Sequence, residues 1–335
     1  KEEIGHEKKV KRKEVPDFSE INGQQFVKRA CEIAVSGRHN LLMIGPPGAG
    51  KTMIARRIPG ILPKMTEEEA LEVTKIYSVR GLLTESEAWM AERPFRNPHH
   101  TITPQGLAGG GMVPGPGEIS LAHHGVLFLD ELAEFRRETL EILRQPMEEH
   151  CVKLARLAGN YEFPSDFMLV AAMNPCRCGY YPDLNRCHCT KGMVEQYLKK
   201  ISQPLLDRID ICVETKRVEY QDLIKENPHQ ETSAEIRKRV VAAMERQQQR
   251  FAGTNIRYNS RIPAALLTKY CRLSTKQKQY MESIYQKLEL TARSYHRILR
   301  VARTIADMDG SDEILTRHLS EAVCYRNVDK KFWEG

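Results

Sequence analysis

Three short stretches of the chain are apolar without interruption: Leu41-Leu-Met-Ile44, Gly125-Val-Leu-Phe-Leu129 and Phe167-Met-Leu-Val-Ala-Ala172. Runs of this length with no polar alternation are the pattern of strands covered on both faces. Between them the pattern turns helical. A helix is predicted after the glycine-rich turn that follows Ile44, stopped at Pro59-Gly60. Thr66-Glu-Glu-Glu69 and Thr84-Glu-Ser-Glu87 each read as a capping box opening a helix, and a helix rich in Glu and Arg is predicted after the second strand. Strands alternating with helices predict an α/β fold with a parallel sheet.

After about residue 218 the strand pattern stops. Ser233–Arg250, Ser274–Leu290 and Ala292–Asp307 read as helices, and Leu290, Ile298, Val301 and Ile305 form an apolar stripe at helical spacing. Three segments are predicted: an arm or linker over residues 1–15, an α/β core over 16–218, and a small all-helical domain over 219–335. The first 14 residues carry mixed charge, and Lys8–Lys13 reads as a solvated tail or a phosphate contact. Residues 94–118, rich in Pro and Gly, read as a long loop or insertion.

With 335 residues the chain has room for about two domains. Its 41% hydrophobic content excludes wholesale disorder. No run of about 18 apolar residues and no secretion signal is present, so no membrane partner and a cytoplasmic location are expected. The net charge of +7 permits nucleic acid as a partner without requiring it.

The chemistry begins at Gly45-Pro46-Pro47-Gly48-Ala49-Gly50-Lys51-Thr52, which fits the phosphate-binding loop G-x-x-x-x-G-K-[ST] in its proper context, after a buried strand and before a helix. Backbone amides wrap the phosphates of ATP, the helix start adds positive potential, Lys51 neutralises the β and γ phosphates, and the Thr52 hydroxyl ligates Mg²⁺. Asp130-Glu131 follows the second strand, at the end of an α/β sheet where ligands bind. Asp130 is expected to hold Mg²⁺ and Glu131 to act as the base for the attacking water. Asn174, leaving the third strand, is placed to orient that water or to touch the γ phosphate.

Arg208, between Asp207 and Asp210, reads as an arginine completing a neighbouring subunit's site or as a local ion pair. Arg293, Arg297 and Arg300 lie on or near one helix face, from which one arginine can reach phosphate. Cys176-Arg-Cys178 and Cys187-His-Cys189 supply four thiols, which suit a structural Zn²⁺ or a set of free or redox-active thiols, with His188 as a substitute ligand. His99-His100 and His123-His124 read as packing or hydrogen-bonding residues before catalytic ones. Residues 152–163 read as a hairpin about a Gly159-Asn160 turn, with Lys153 and Arg156 as candidate DNA contacts or as part of an exposed amphipathic surface.

These motifs in this order resemble the AAA+ ATPases. Gly45–Thr52, Arg93-Pro-Phe-Arg-Asn-Pro-His-His-Thr101, Gly117-Glu-Ile-Ser-Leu-Ala-His123, Val126–Leu132, Ala172-Met-Asn-Pro-Cys-Arg-Cys-Gly179, Pro204-Leu-Leu-Asp-Arg-Ile-Asp210 and the segment Ala292–Ala306 narrow the resemblance to the magnesium-chelatase-like branch, the ComM/YifB family, over about residues 16–330. The resemblance implies a P-loop αβα core with a helical lid, assembled as a homo-hexamer with ATP at subunit interfaces. It implies Walker A at Gly45–Thr52, Walker B at Asp130-Glu131, sensor 1 at Asn174, a trans arginine finger at Arg208 and sensor 2 at Arg293. It equates the 152–163 hairpin with a pore-lining hairpin and residues 94–118 with the helix-2 insertion. It implies a motor on single-stranded or branched DNA, a helicase promoting branch migration when DNA taken up by transformation is recombined. A chelatase-type remodeller of a protein partner is the alternative. It also implies an N-terminal Lon-like domain, which is expected to be missing from a chain that starts at Lys1.

Overall fold

The computed structural model describes residues 15–83, 89–156, 159–217 and 230–333. The second capping box, at 84–87, the first 14 residues of the arm and the boundary drawn at 218–219 lie outside the described residues. The three predicted strands form as β1 (Leu41–Ile44), β3 (Val126–Leu129) and β6 (Met168–Met173), each wholly buried. Two more complete the sheet: β2 (Phe95–Arg96) and β7 (Ile211–Glu214). The order is β2-β3-β6-β1-β7, all parallel.

Alternate residues of each strand enter different cores. Leu41, Met43, Val126, Phe128, Val170 and Ile211 face one apolar cluster. Leu42, Ile44, Leu127, Leu129, Leu169 and Cys212 face the other. The first cluster is covered by α1 (Gln25–Gly37) and by the helices of the C-terminal third, α5 (Ser233–Arg250), α6 (Thr275–Lys287), α7 (Ala292–Met308) and α8 (Thr316–Trp333). The helical third therefore shares one core with a face of the sheet. The stripe Leu290, Ile298, Val301 and Ile305 is buried there as its spacing predicts. Near its end α8 adds Val328 and Phe332 to the second cluster. No helix among the described residues is long and apolar enough to cross a membrane.

Local chemistry explains the elements between. The Thr66 box closes as predicted: its side chain accepts from the Glu69 amide, Glu69 reaches back, and α3 (Glu67–Val79) follows. α2 (Lys51–Ala55) ends before Pro59, which instead sits in the first turn of a separate short helix, Ile58–Ile61, where its missing N–H costs nothing. The Glu/Arg-rich stretch after β3 is helical but not one helix: it is a succession of short helical segments, Leu132–Glu134, Arg137–Glu141, Ile142–Arg144 and Pro146–Glu149. Residues 94–118 are not a plain loop. They contain β2, a short helix Pro104–Ala108 and a two-rung ladder joining Gly109-Gly110 to Gly115-Pro116. Gly125 is required where β2 enters, since a Cβ there would lie 2.0 Å from the Pro94 oxygen.

The 152–163 hairpin forms as β4 (Cys151–Arg156) and β5 (Gly159–Pro164). Its register pairs Arg156 with Gly159 and Ala155 with Asn160, so Gly159-Asn160 belongs to the second strand rather than to the turn.

Candidate nucleotide-binding site

Because the sheet is parallel, the ends of β1, β3 and β6 bring the predicted site residues together. The Gly45 amide donates to the Met173 carbonyl, and the loop then turns through Gly48 (φ 76°) and Gly50 (φ 79°) into α2. Lys51 is buried, with its ammonium donating to the carbonyls of Gly45 (2.7 Å) and Pro46 (3.0 Å) and to Asn174 Oδ1 (3.1 Å). Thr52 Oγ1 donates to Asp130 Oδ2 at 2.6 Å. Glu131 has a left-handed backbone (φ 52°, ψ 45°), a conformation costing roughly 1–2 kcal/mol in a residue with a Cβ, and its amide donates to Asp130 Oδ1 at 2.9 Å. Its carboxylate lies 3.2 Å from His100 Nδ1 and is 59% exposed to the crevice.

The residues present fit ATP with Mg²⁺. Burial pushes the Lys51 ammonium down to about 8 against the pull of Asp130. A buried cation held by neutral oxygens is stabilised by an arriving anion. Nothing stands within 4 Å of where a Gly48 Cβ would be, so the loop is open over its turn. A hydroxyl and a carboxylate 2.6 Å apart are the hard oxygen donors that Mg²⁺ takes.

The arginines stand elsewhere. Leu41 pairs with Ile211, so residues 207–210 lie at the opposite end of β1 from the loop. β1 is four residues long, which separates the two ends by about 13 Å or more along the strand. Asn40 clamps this foot of the sheet: its side chain donates to the Arg208 carbonyl and accepts from the Leu169 amide, and its own amide donates to Asp210. Arg208 is folded back onto Glu148 and the carbonyls of Arg144 and Pro204. Arg293 is 66% exposed and lies 3.6 Å from Asp207. Arg297 donates to the Leu206 and Ile209 carbonyls, and Arg300 to that of Ile262. Arg208 and Arg293 are thus brought together, and both are kept away from Lys51 of the same chain.

Lys153 is exposed but paired with Glu149 at 2.8 Å and placed opposite Glu162 in the hairpin, so that face carries both signs of charge. The side chain of Arg156 lies outside the described residues. Cys176, Cys178, Cys187 and Cys189 cluster with their sulfurs within 4.8 Å of one another.

His123 and His124 both meet Glu72, at 2.9 and 2.8 Å. This trio resembles a metal site, but the Asp166 amide donates to His123 Nδ1, so the proton sits on Nε2 and points at Glu72. That tautomer bonds hydrogens, in keeping with the structural reading of the pair. Sequence reasoning did not find the contact of His100 with Glu131 or the clamp by Asn40. Both join segments distant in the chain, with no local signal.

Comparison with known proteins places this geometry in a family. Residues 17–223 match the family model described as magnesium chelatase, subunit ChlI, and residues 230–326 match that for its C-terminal part. The chain is 45% identical over 314 residues to the Escherichia coli (strain K12) protein named uncharacterized protein YifB, covering 94% of this chain and 61% of that one. It is 43% identical over 310 residues to competence protein ComM of Haemophilus influenzae, covering 92% and 60%. A Mycobacterium tuberculosis (strain H37Rv) protein, named uncharacterized protein Rv2897c, is 38% identical over 313 residues, covering 93% and 62%. The chain thus spans about three-fifths of the length of these relatives.

Proposed function

As the chain belongs to the magnesium chelatase ChlI-like family of AAA+ ATPases, we propose that it is the ATP-hydrolysing portion of a ring-forming motor that acts on DNA. The observation that carries this reading is the division of the phosphate chemistry between two ends of one sheet. Lys51, Thr52, Asp130 and Asn174 converge at one end, and Arg208 and Arg293 stand at the other, too far away to serve the same nucleotide. Such a division works when each subunit lends its arginines to the next, which favours a closed homo-oligomer, a hexamer on the family pattern.

In this reading the amides of Gly45–Thr52 hold the phosphates and Lys51 meets the β and γ oxygens. Thr52 and Asp130 hold Mg²⁺, which when bound offsets phosphate charge. Glu131 takes the proton of the water attacking the γ phosphate in line, and Asn174 orients that water. Arg208, released from Glu148, and Arg293 stabilise charge on the neighbour's γ phosphate. The four cysteines hold a structural Zn²⁺: four thiolates fill a tetrahedron and leave no position open for catalysis.

DNA as the substrate, with branch migration during recombination of transforming DNA as its use, is supported by the likeness to a competence protein and by the net charge of +7. One observation favours the second reading, a remodeller of a protein partner: the pairing of Lys153 with Glu149 makes the hairpin face less basic than a DNA-tracking surface needs. The test is ATP hydrolysis with and without single-stranded and forked DNA, on wild type and Glu131→Gln, with the mass of the assembly measured in the same buffer. DNA stimulation of a hexamer, lost in the variant, supports the DNA motor. A hydrolysing hexamer indifferent to DNA turns the reading to the remodeller.

A further inference from the structure

We propose that the tetracysteine loop is a positioning device for the nucleotide site, so that zinc occupancy sets how well the site tells ATP from ADP. The proposal rests on the reading of this cluster as a zinc centre.

The cluster begins two residues after Asn174, with only Pro175 between Asn174 and Cys176. Its sulfurs are already near coordination distances: Cys176 to Cys178 is 3.3 Å, Cys178 to Cys187 is 3.5 Å and Cys176 to Cys187 is 3.8 Å. A tetrahedron with Zn–S of about 2.3 Å has sulfur–sulfur edges of about 3.8 Å. The Tyr181 amide donates to Cys176 Sγ, and the Gly179 amide closes a turn onto the Cys176 carbonyl.

That turn touches the phosphate-binding loop. Gly179 has φ 85°, and a Cβ there would lie 2.4 Å from Pro47 Cδ. The far end of the cluster leads through Thr190, which caps α4 (Lys191–Leu198), to Lys200, whose ammonium donates to the Ala133 carbonyl at 2.8 Å, two residues after Glu131. The loop thus begins beside the residue that meets Lys51 and touches the phosphate loop, and the helix it leads into ends next to a lysine that holds the turn after Glu131.

Residues 174–190 contain neither helix nor strand. A few backbone bonds, such as Asp183 to Tyr180 and Cys187 to Asp183, hold the loop's shape. A metal cross-linking Cys176 to Cys189 removes most of the loop's remaining freedom. Released, the loop no longer fixes the direction in which Asn174 leaves β6, nor backs Pro47. Lys51 and the other loop amides still meet the α and β phosphates, so ADP is held nearly as before. The γ phosphate, which needs Asn174 in place, is held less well.

The experiment measures zinc per chain in freshly purified, reduced protein, then Mg²⁺–ATP and Mg²⁺–ADP affinities before and after removal of zinc by a thiol-reactive chelating treatment, and again after zinc is restored. Binding is used in place of turnover, so the result does not depend on ring assembly or on hydrolysis. The expected result is about one zinc per chain, a loss of ATP affinity of fivefold or more on removal, a change for ADP under twofold, and recovery on re-addition.

In Asn174→Ala, removing zinc is expected to change ATP affinity less than twofold, because the group that the loop positions is already gone. Gly179→Ala, with all four cysteines intact, is expected to keep its zinc and still lose ATP affinity. Equal losses for ATP and ADP, or an equal loss in Asn174→Ala and wild type, overturn the positioning role and leave the zinc centre standing. Zinc content near zero in the fresh protein overturns the metal reading itself.

Discussion

The two ends of β1 are built in opposite ways. At its C-terminal end, Lys51 is a buried cation among neutral oxygens, Glu131 has a strained left-handed backbone, and the loop over Gly48 is open. At its N-terminal end, charges are paired many times over. Asp210 is held by Asn40 with Arg297 nearby, and the side chains of Arg38 and Arg261 bracket Asp166. Burial opposes ionisation of Asp166, yet those two guanidiniums hold its carboxyl well below the usual range. The first end gains partners when a ligand arrives. The arginines of the second are paired within the chain, and on the proposed reading Arg208 exchanges partners to act. On the proposed reading, a site that binds is left incomplete, whereas a site that lends a residue to a neighbour is stored in a paired state.

The sharpest way to break this contrast is to separate the ends genetically. Arg208→Ala is expected to lower kcat by about 10³-fold or more while ATP affinity stays within about threefold, because its own loop is about 13 Å away. Lys51→Ala is expected to lose both binding and hydrolysis. Mixing the two inactive variants is expected to restore turnover, since an interface made from the loop of one and the arginine of the other is intact. A mixture as inactive as its components would defeat the trans assignment. Glu131→Gln is expected to come next, with a kcat loss of about 10²–10⁴-fold and unchanged ATP affinity by direct binding, since the carboxylate serves only the water.

The same contrast explains what the sequence disclosed. The binding end was legible because its chemistry demands consecutive residues: the glycines, Lys51 and Thr52 lie in one segment, and Asp130 and Asn174 each end an apolar run. The sheet's centre was legible for the same reason. Its edges were not. β2 is two residues long inside a Pro/Gly-rich stretch, and the last strand, Ile211–Glu214, follows a charged segment with no flanking turn signal. The arginine end is assembled from residues near 38, 148, 208, 261 and 293 that only the fold brings together, so residue patterns offered Arg208 and Arg293 as candidates and the family resemblance supplied their roles. His100 escaped because its partner Glu131 lies 31 positions away along the chain.

A milder effect reads the binding end alone. The ammonium of Lys51 sits at about 8 in the free protein, lowered by burial. A bound phosphate favours the charged form and raises it. ATP affinity is therefore expected to be flat below pH 7 and to fall by up to about tenfold per unit once the pH passes 8, as the free protein loses the proton that binding requires. Lys51→Arg, which stays charged, is expected to bind more weakly at pH 7 but to show no such slope up to pH 9.5. A wild-type affinity independent of pH between 7 and 9.5 would mean that the ammonium is not the group meeting the phosphates.

The smallest expected effect tests what the hairpin touches. Glu149 and Lys153 are both about half exposed, and water screens such a pair, so removing it leaves Tm almost unchanged. Its effect on DNA has a definite sign. If the hairpin meets phosphates, Lys153 must leave Glu149 to do so, and the pair competes with DNA. Lys153→Ala is then expected to weaken DNA binding and to reduce the slope of log affinity against log salt by about 0.7–0.9. Glu149→Gln is expected to act in the opposite direction, strengthening binding about two- to threefold by freeing the ammonium. Opposite signs from two neighbours on one surface are hard to obtain from a disturbance of the fold. If both substitutions leave DNA affinity and its salt slope unchanged, the mixed-charge face of β4 and β5 is not a DNA-tracking surface, and the balance moves to a protein substrate.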